Sequence, residues 1–238
     1  MIMSLKTSII LCTYNESKYI ENTIRKLENN ISNLELVIVD DNSSDGTVQI
    51  IKKLNEANKY KTIFRKNSRS LASAFTRGIV ETTGSYIGWL DTNMDELAPR
   101  FNEMIKELEE GSDIVILSRY VPGGGDERVL LRSIGSKYFN LFARTILGLP
   151  IKDLTNSVFL MKRDVLNEVT FLGYGHGEFF LEFLYNAHKK NFIIKEIPHV
   201  QKKDKNIEES KSAPNLIKFF YYGIKYVLRV FVAILRKR

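Results

Sequence analysis

"LELVIVDDNSSDGTVQIIKKL", residues 34–54, changes character twice within one turn of chain. Leu36 to Val39 form a continuous apolar run, which suits a strand buried on both faces of a parallel sheet. Asp40 and Asp41 follow at once. Ser44, Asp45 and Gly46 are turn formers, with Ser44 or Asp45 placed to cap a helix. Ile50, Ile51 and Leu54 then recur at helical spacing. The stretch therefore reads strand, polar turn, helix. Two adjacent acids at a strand end cannot both be buried without partners. Asp40 reads as structural, and Asp41 as an acceptor for a base or ribose.

The same grammar extends in both directions. "TSIILCTY" (7–14) is a second apolar strand, and Ile20, Ile24 and Leu27 mark the helix after it. "YKTIFRK" (60–66), "LASAFTRGIVETT" (71–83), "YIGWLD" (86–91), a helix around Phe101 to Leu108 and "DIVILS" (113–118) continue the alternation. This pattern predicts an α/β fold, a mainly parallel central sheet with helices on both faces. Ligands in such sheets sit beyond the carboxyl ends of the strands. Those ends carry "CTYNE" (12–16), "VDDNSSDGT" (39–47), "LDTNMD" (90–95) and "SRYVPGGG" (118–125), so the polar residues gather on one edge.

The chain of 238 residues, 44% hydrophobic, is long enough for one main domain with an appendage. Its single cysteine, Cys12, excludes an internal disulfide framework and fits a reducing compartment. The N-terminal apolar run reads as the first buried strand rather than a signal peptide. A net charge of +7 fits phosphorylated ligands or an anionic membrane. No nucleic-acid motif accompanies it. The three histidines have no ligand spacing for zinc, and no glycine-rich phosphate loop of the Walker or dinucleotide type is present.

In "DTNMD" (91–95), Asp91, Asn93 and Asp95 could offer oxygen ligands to a hard cation. Alternate residues share a face only on an extended chain, so a shared site requires the chain to stay extended past Leu90. A polar turn is the other reading. Arg119, Arg128 and Arg132 bracket three consecutive glycines, Gly123 to Gly125. Arginine suits bidentate contact with phosphate oxygens, and the glycines suit either a plain surface loop or a segment that orders on substrate.

The second half contains a helix from about Leu131 to Leu147, then "DLTNSVFLMKRDVLNEV" (153–169) as loop, short strand and short helix. A helix in "HGEFFLEFLYNAHKKN" (176–191), a strand in "FIIKEIPHV" (192–200) and a charged loop (201–214) follow. "NLIKFFYYGIKYVLRVFVAILRKR" (215–238) has Lys218, Tyr222, Lys225, Arg229 and Arg236 on one narrow stripe of an apolar helix. It reads as an amphipathic helix lying on anionic lipid, with the 131–147 helix beside it. Packing against the domain and spanning the membrane are the alternatives. The expected division is a domain over 1–211 and a membrane-interface helix over 212–238.

The strand-end motifs, with Arg132 and "SK" at Ser210-Lys211, resemble family 2 glycosyltransferases of the GT-A fold, and among them dolichyl-phosphate mannose synthases and related polyprenyl-phosphate glycosyltransferases. The resemblance runs from Ser8 to about Lys211. It implies transfer of a hexose, mannose first, from a nucleotide-diphosphate sugar such as GDP-mannose to a polyprenyl phosphate, with inversion. It implies Mg²⁺ or Mn²⁺ as cofactor and a peripheral position on the cytoplasmic face of a membrane. By the same resemblance Thr13, Tyr14, Glu16 and Asp41 hold the nucleoside, and Asp91 is the first acid of the Asp-X-Asp motif. Asn93 stands at the second acid, and Asp95 where these synthases often carry Gln. Arg119 and Arg132 lie near donor and acceptor phosphates, and Lys203, Ser210 and Lys211 belong to a loop that closes on the site. Glu182 matches an acid on the family's late helix; otherwise it faces solvent. The chain departs from the pattern at Cys12, Ser70, Ala72, Asn93 and "DLTNSVF" (153–159), where the family is nearer Asp-Pro-Thr-Ser-Gly-Phe-Arg. Two alternatives therefore stand beside the first reading: a saccharide acceptor, and a protein that binds nucleotide sugar without transferring it.

Overall fold

The computed structural model describes residues 5–203 and 216–236. Strands β1 (Thr7–Thr13), β2 (Leu34–Asp40), β3 (Lys61–Phe64) and β4 (Tyr86–Trp89) alternate with helices α1 (Ile20–Asn30), α2 (Thr47–Leu54) and α3 (Leu71–Glu81). Then come α4 (Arg100–Glu109), β5 (Ile114–Ser118), the short β6 (Gly125–Asp126) and α5 (Leu130–Leu147). The chain continues through β7 (Phe159–Lys162), α6 (Glu178–Lys189), β8 (Ile194–Pro198), the short β9 (Val200–Gln201) and α7 (Leu216–Leu235).

The main sheet has the order β3-β2-β1-β4-β7-β5-β8. All its pairs are parallel except those of β7, which runs antiparallel between β4 and β5. The mainly parallel α/β sheet expected from sequence is what forms. β6 and β9 make a separate parallel ribbon. In the β1–β2 register Thr13 lies beside Asp40. In the β2–β3 register Asp40 lies beside Phe64, which brings Asp41 and Arg65 level just past the strands.

The strands alternate between two cores, as a sheet covered on both faces requires. Ile9, Leu11, Leu36 and Ile38 pack under α1, α2 and α4 with Ile24, Ile51 and Phe101. Ile10, Val37, Val39 and Trp89 face α3, α5, α6 and α7 with Phe75, Phe179 and Val230. This second core is aromatic. Phe75 stacks on Trp89 at 5.4 Å between ring centroids, and Phe171 on Phe183 at 3.8 Å. Such pairs contribute about 0.5–1.5 kcal/mol each beyond area burial. Gly88 is required where β4 passes β7, because a Cβ there would stand 2.9 Å from the Phe159 carbonyl oxygen.

Helix α7 packs on α6 and α5. Val230, Ala233 and Arg229 are buried, Arg229 to 5% exposure. The basic stripe therefore points inward at Arg229 instead of outward to lipid headgroups. Its Nη1 donates to Glu182 Oε2 at 2.8 Å and its Nη2 to the Tyr174 carbonyl at 3.0 Å. Arg236 Nη1 adds a 3.3 Å bond to Glu182 Oε1. Glu182, 1% exposed, does not face solvent: it anchors this helix. The outward side of the α5–α7 pair is apolar, with Leu131, Tyr138 and Leu141 exposed on α5 and Ile224, Leu228 and Phe231 exposed on α7. Phe142 and Phe231, both exposed, meet edge to face at 6.4 Å, so the two surfaces are continuous. Among the described residues no helix is long and apolar enough to cross a membrane. The expected boundary at 211/212 lies outside the described residues.

Candidate active site

The ends of β1 and β2 are tied together first. Thr13 Oγ1 donates to Asp40 Oδ2 at 2.7 Å, and Ser43 gives Asp40 its N–H at 2.9 Å and its hydroxyl at 2.6 Å. Asp40 is wholly buried and satisfied. It is the structural acid of the pair, and Thr13 is its partner. Asn15, at φ 54°, turns the chain back, and its side chain accepts the Ser44 N–H at 3.0 Å. The Glu16 N–H donates to Thr47 Oγ1 at 2.8 Å, and the Glu16 carbonyl takes the N–H groups of Tyr19 and Ile20 at 3.0 Å. Glu16 thus joins the starts of α1 and α2. The Asp45 carboxylate accepts the Thr47 N–H at 3.1 Å and stands just outside α2, whose first turn follows Gly46 at φ 99°. Burial raises the Asp45 pKa, but the Thr47 hydroxyl and the Ser17 N–H outweigh it and hold the carboxyl well below its ordinary range.

Asp41 is reached by a residue outside the motifs. Arg65 grips it with two parallel bonds, Nε to Oδ1 at 2.6 Å and Nη2 to Oδ2 at 2.7 Å. The Ser70 N–H adds a third at 3.1 Å. Beside this pair the Arg69 guanidinium lies 3.7 Å from the centre of the Tyr14 ring. Tyr14 and Asp41 therefore share one edge, bounded by the 65–70 segment. The signal for Arg65 was legible: it is the first residue beyond β3, the parallel neighbour of the strand that delivers Asp41.

Past β4 the chain does not stay extended. Thr92–Leu97 coil into a 3-10 turn. Asp91 remains at the strand end, with one carboxylate oxygen accepting the Ser157 hydroxyl at 2.7 Å. Asn93 is exposed. Asp95 turns onto α1, where Asn22 Nδ2 donates to it at 2.6 Å and Lys26 also bonds it. The structure does not bring Asp91, Asn93 and Asp95 to one face, because a turn of about three residues points alternate side chains in different directions. Among the described residues no group of three His, Cys, Asp or Glu side chains could hold a metal ion unaided. A Mg²⁺ ion ordinarily needs only one or two carboxylates plus phosphates and water. Asp91 with a neighbouring hydroxyl fits a cation that arrives with a diphosphate.

Cys12 sits beneath these acids. Burial, with the Asp91 and Asp41 carboxylates, pushes its thiol well above the ordinary value, which disfavours the thiolate. Arg119 is 5% exposed and bound side-on to Asp153, with Nε to Oδ2 at 2.8 Å and Nη2 to Oδ1 at 2.7 Å. Its Nη2 also reaches Thr155 Oγ1 at 2.6 Å, and Asp126 lies 3.8 Å from Nη1. The structure thus places Arg119, expected beside the phosphates, in a buried ion pair. Arg132 lies in the first turn of α5 and is partly exposed, and Lys203 is exposed beyond β9. Ser210 and Lys211 lie outside the described residues.

Sequence comparisons agree with this architecture. The family described as Glycosyl transferase family 2 matches residues 8–170. The chain is 32% identical to a dolichol-phosphate mannosyltransferase of Pyrococcus furiosus over 172 residues, 69% of this chain and 48% of the relative. It therefore spans about half the length of that relative. It is 25% identical to a polyprenol monophosphomannose synthase of Mycolicibacterium smegmatis, over 81% of this chain and 76% of that one. Among solved structures, the glucosyl-3-phosphoglycerate synthase of Mycobacterium tuberculosis in complex with Mn²⁺, UDP and glucosyl-3-phosphoglycerate superposes with a TM-score of 0.72. The superposition covers 98% of this chain and 81% of that one at 15% identity, a likeness of fold.

Proposed function

The chain belongs to glycosyl transferase family 2, and from that membership we propose that it moves a hexose, mannose first, from a nucleoside diphosphate sugar to a polyprenyl phosphate at a membrane surface. The observation that carries the lipid acceptor is the two-sided character of α5. One side grips the segment beside Asp91, through Asn140 Nδ2 to Thr155 Oγ1 at 3.0 Å and the Asn140 carboxamide oxygen accepting the Leu154 N–H at 2.6 Å. The opposite side, with Leu131, Ile134 and Leu141, is exposed and continuous with α7. An apolar surface one helix away from the acid is what a lipid-linked substrate needs. The names of the two curated relatives point the same way.

The chemistry requires little from protein bases. An ionised acceptor phosphate oxygen forms a bond to the anomeric carbon. The bond from that carbon to the diphosphate oxygen breaks, and its electron pair leaves with the nucleoside diphosphate. Positioning and charge stabilisation carry such a step. Tyr14 and the Asp41–Arg65 pair border the nucleoside. Asp91 would hold a Mg²⁺ or Mn²⁺ cation, which when bound would offset charge growing on the leaving group. Arg132, partly exposed in the first turn of α5 next to the exposed Leu131, would serve as the cation for the acceptor phosphate.

A second reading, a protein that holds nucleotide sugar without transfer, is favoured by the single acid at Asp91 and by the enclosure of Arg119. A donor panel that includes GDP-mannose, with Mn²⁺ or Mg²⁺ and a polyprenyl phosphate, separates the two when extracted lipids are weighed by mass spectrometry. A glycolipid that disappears in Asp91→Ala is the expected result. Donor binding with no product supports the second reading, and product only with an oligosaccharide moves the acceptor assignment to saccharides.

A further inference from the structure

The segment Asp153–Val158 lies between α5 and β7 and joins two charged groups from different strands. At one end Asp153 takes the guanidinium of Arg119, which follows β5. Thr155 Oγ1 extends that contact and is held from α5 by Asn140. At the other end the Ser157 hydroxyl donates to Asp91, which follows β4. Between them Asn156 is 5% exposed, and its own carboxamide oxygen accepts the Val158 N–H at 3.0 Å, closing a tight turn. The Leu117 N–H donates to the Val158 carbonyl at 3.1 Å, pinning the turn to β5. Ser157 therefore sits next to the end of a strap fixed at both ends, and its short side chain carries the hydroxyl to Asp91 from a backbone pinned on either side.

We propose that Ser157 is a positioning residue for Asp91, fixing the carboxylate in the orientation that receives the cation and diphosphate. This rests on the glycosyltransferase reading, in which Asp91 holds the cation. Asn93 is exposed and Asp95 is bound to α1, so orientation of Asp91 cannot come from a second acid on the same loop. A carboxylate that takes one hydrogen bond from a fixed hydroxyl loses less rotamer freedom when it binds a metal. The position also departs from the family-like pattern, where glycine stands and no hydroxyl is available.

The test is a Mn²⁺ titration of the full chain with GDP and, separately, UDP, read by loss of the free-ion paramagnetic resonance signal. Ser157→Ala should weaken Mn²⁺ binding by about tenfold, while nucleoside diphosphate binding in excess chelator, read by calorimetry, stays at the wild-type level. Ser157→Thr, which keeps the hydroxyl, should restore Mn²⁺ affinity to within about twofold, since a small added methyl leaves the donor in place. If Ser157→Ala does not fold, Ser157→Cys, near-isosteric with a weak donor, gives the same readout. Wild-type Mn²⁺ affinity in the hydroxyl-free variant, with affinity lost in Asp91→Asn, overturns the role of Ser157 and leaves the function standing. Wild-type affinity in Asp91→Asn overturns the metal reading and this inference together.

Discussion

At the residue scale, Arg119 shows how far a motif can be read without its partners. "SR" at a strand end with glycines after it suggests an arginine waiting for phosphate. The partner that claims it, Asp153, lies 34 positions later, beyond an intervening helix. No spacing rule joins them. Arg65 and Asp41 are the contrary case, because neighbouring parallel strands ending together made their meeting legible. The Arg119–Asp153 pair has a stability consequence. Burial alone would raise the Asp153 carboxyl, but the adjacent guanidinium prevails and holds it below its ordinary pKa. A carboxyl depressed in the folded chain contributes stability that is complete above its unfolded value, about 3.9, and is lost as pH falls through the folded value. Asp153→Asn takes from Arg119 its bidentate partner and leaves only Asp126, 3.8 Å away and shared with Arg128, which costs about 3 kcal/mol at pH 7. Urea unfolding should show that loss at pH 7 and a smaller gap between variant and wild type at pH 3. An equal gap at both pH values would show that the charge on Asp153 is not what matters.

At the element scale, strands and helices of the first half were legible because their signals are local. Apolar runs gave β1 and β2, and helical spacing gave α1 and α2 close to their observed bounds. The direction of β7 was not legible, since one short apolar run pairs equally well either way until its neighbours are known. Helix α7 shows a different gap: its periodicity was legible, but not that Arg229 on its basic stripe would turn inward. A row of cations reads as a solvent or headgroup face, yet Glu182 and Glu178 on α6 present buried carboxylates, and Arg229 turns inward to them. Gly175, at φ 106°, makes the space, for a Cβ there would stand 2.8 Å from Arg229 Nη2. Arg229→Ala should therefore destabilise the whole domain by about 3–5 kcal/mol, because two carboxylates lose their buried partner. Combining it with Glu182→Gln should recover part of that loss, as neighbours in one network are not additive. Chemical denaturation of the single and double variants measures both. A loss below about 0.5 kcal/mol for Arg229→Ala, the range of ordinary surface changes, would mean that α7 is an appendage after all.

At the scale of the whole molecule, the inward turn of Arg229 alters how the proposed membrane contact would be made. A helix lying on lipid through a basic stripe binds mainly by charge and releases in salt. Here the outward surface is apolar and shared by two helices, with Leu131, Ile134, Tyr138 and Leu141 on α5 and Ile224, Leu228 and Phe231 on α7. Each such side chain contributes about 1.5–3 kcal/mol if fully transferred from water, so several partly inserted ones suffice for peripheral attachment. Exposed Lys137 and partly exposed Arg144 and Lys225 leave charge a secondary part. Vesicle sedimentation should therefore persist on neutral lipid and survive salt, with only a modest gain from anionic lipid. Leu141→Glu combined with Ile224→Glu places two carboxylates in the middle of the face without touching a buried contact. That variant should keep its thermal midpoint and lose vesicle binding by at least about tenfold, since burying even one charged group opposes insertion strongly. It should also keep nucleoside diphosphate affinity, because Tyr14, Asp41 and Asp91 lie on the strand-end edge rather than on this surface. Undiminished sedimentation would place the membrane contact elsewhere on the protein. Lost sedimentation with intact donor binding would divide the molecule as its architecture implies, into a strand edge that holds the nucleotide and a helical face that meets the lipid.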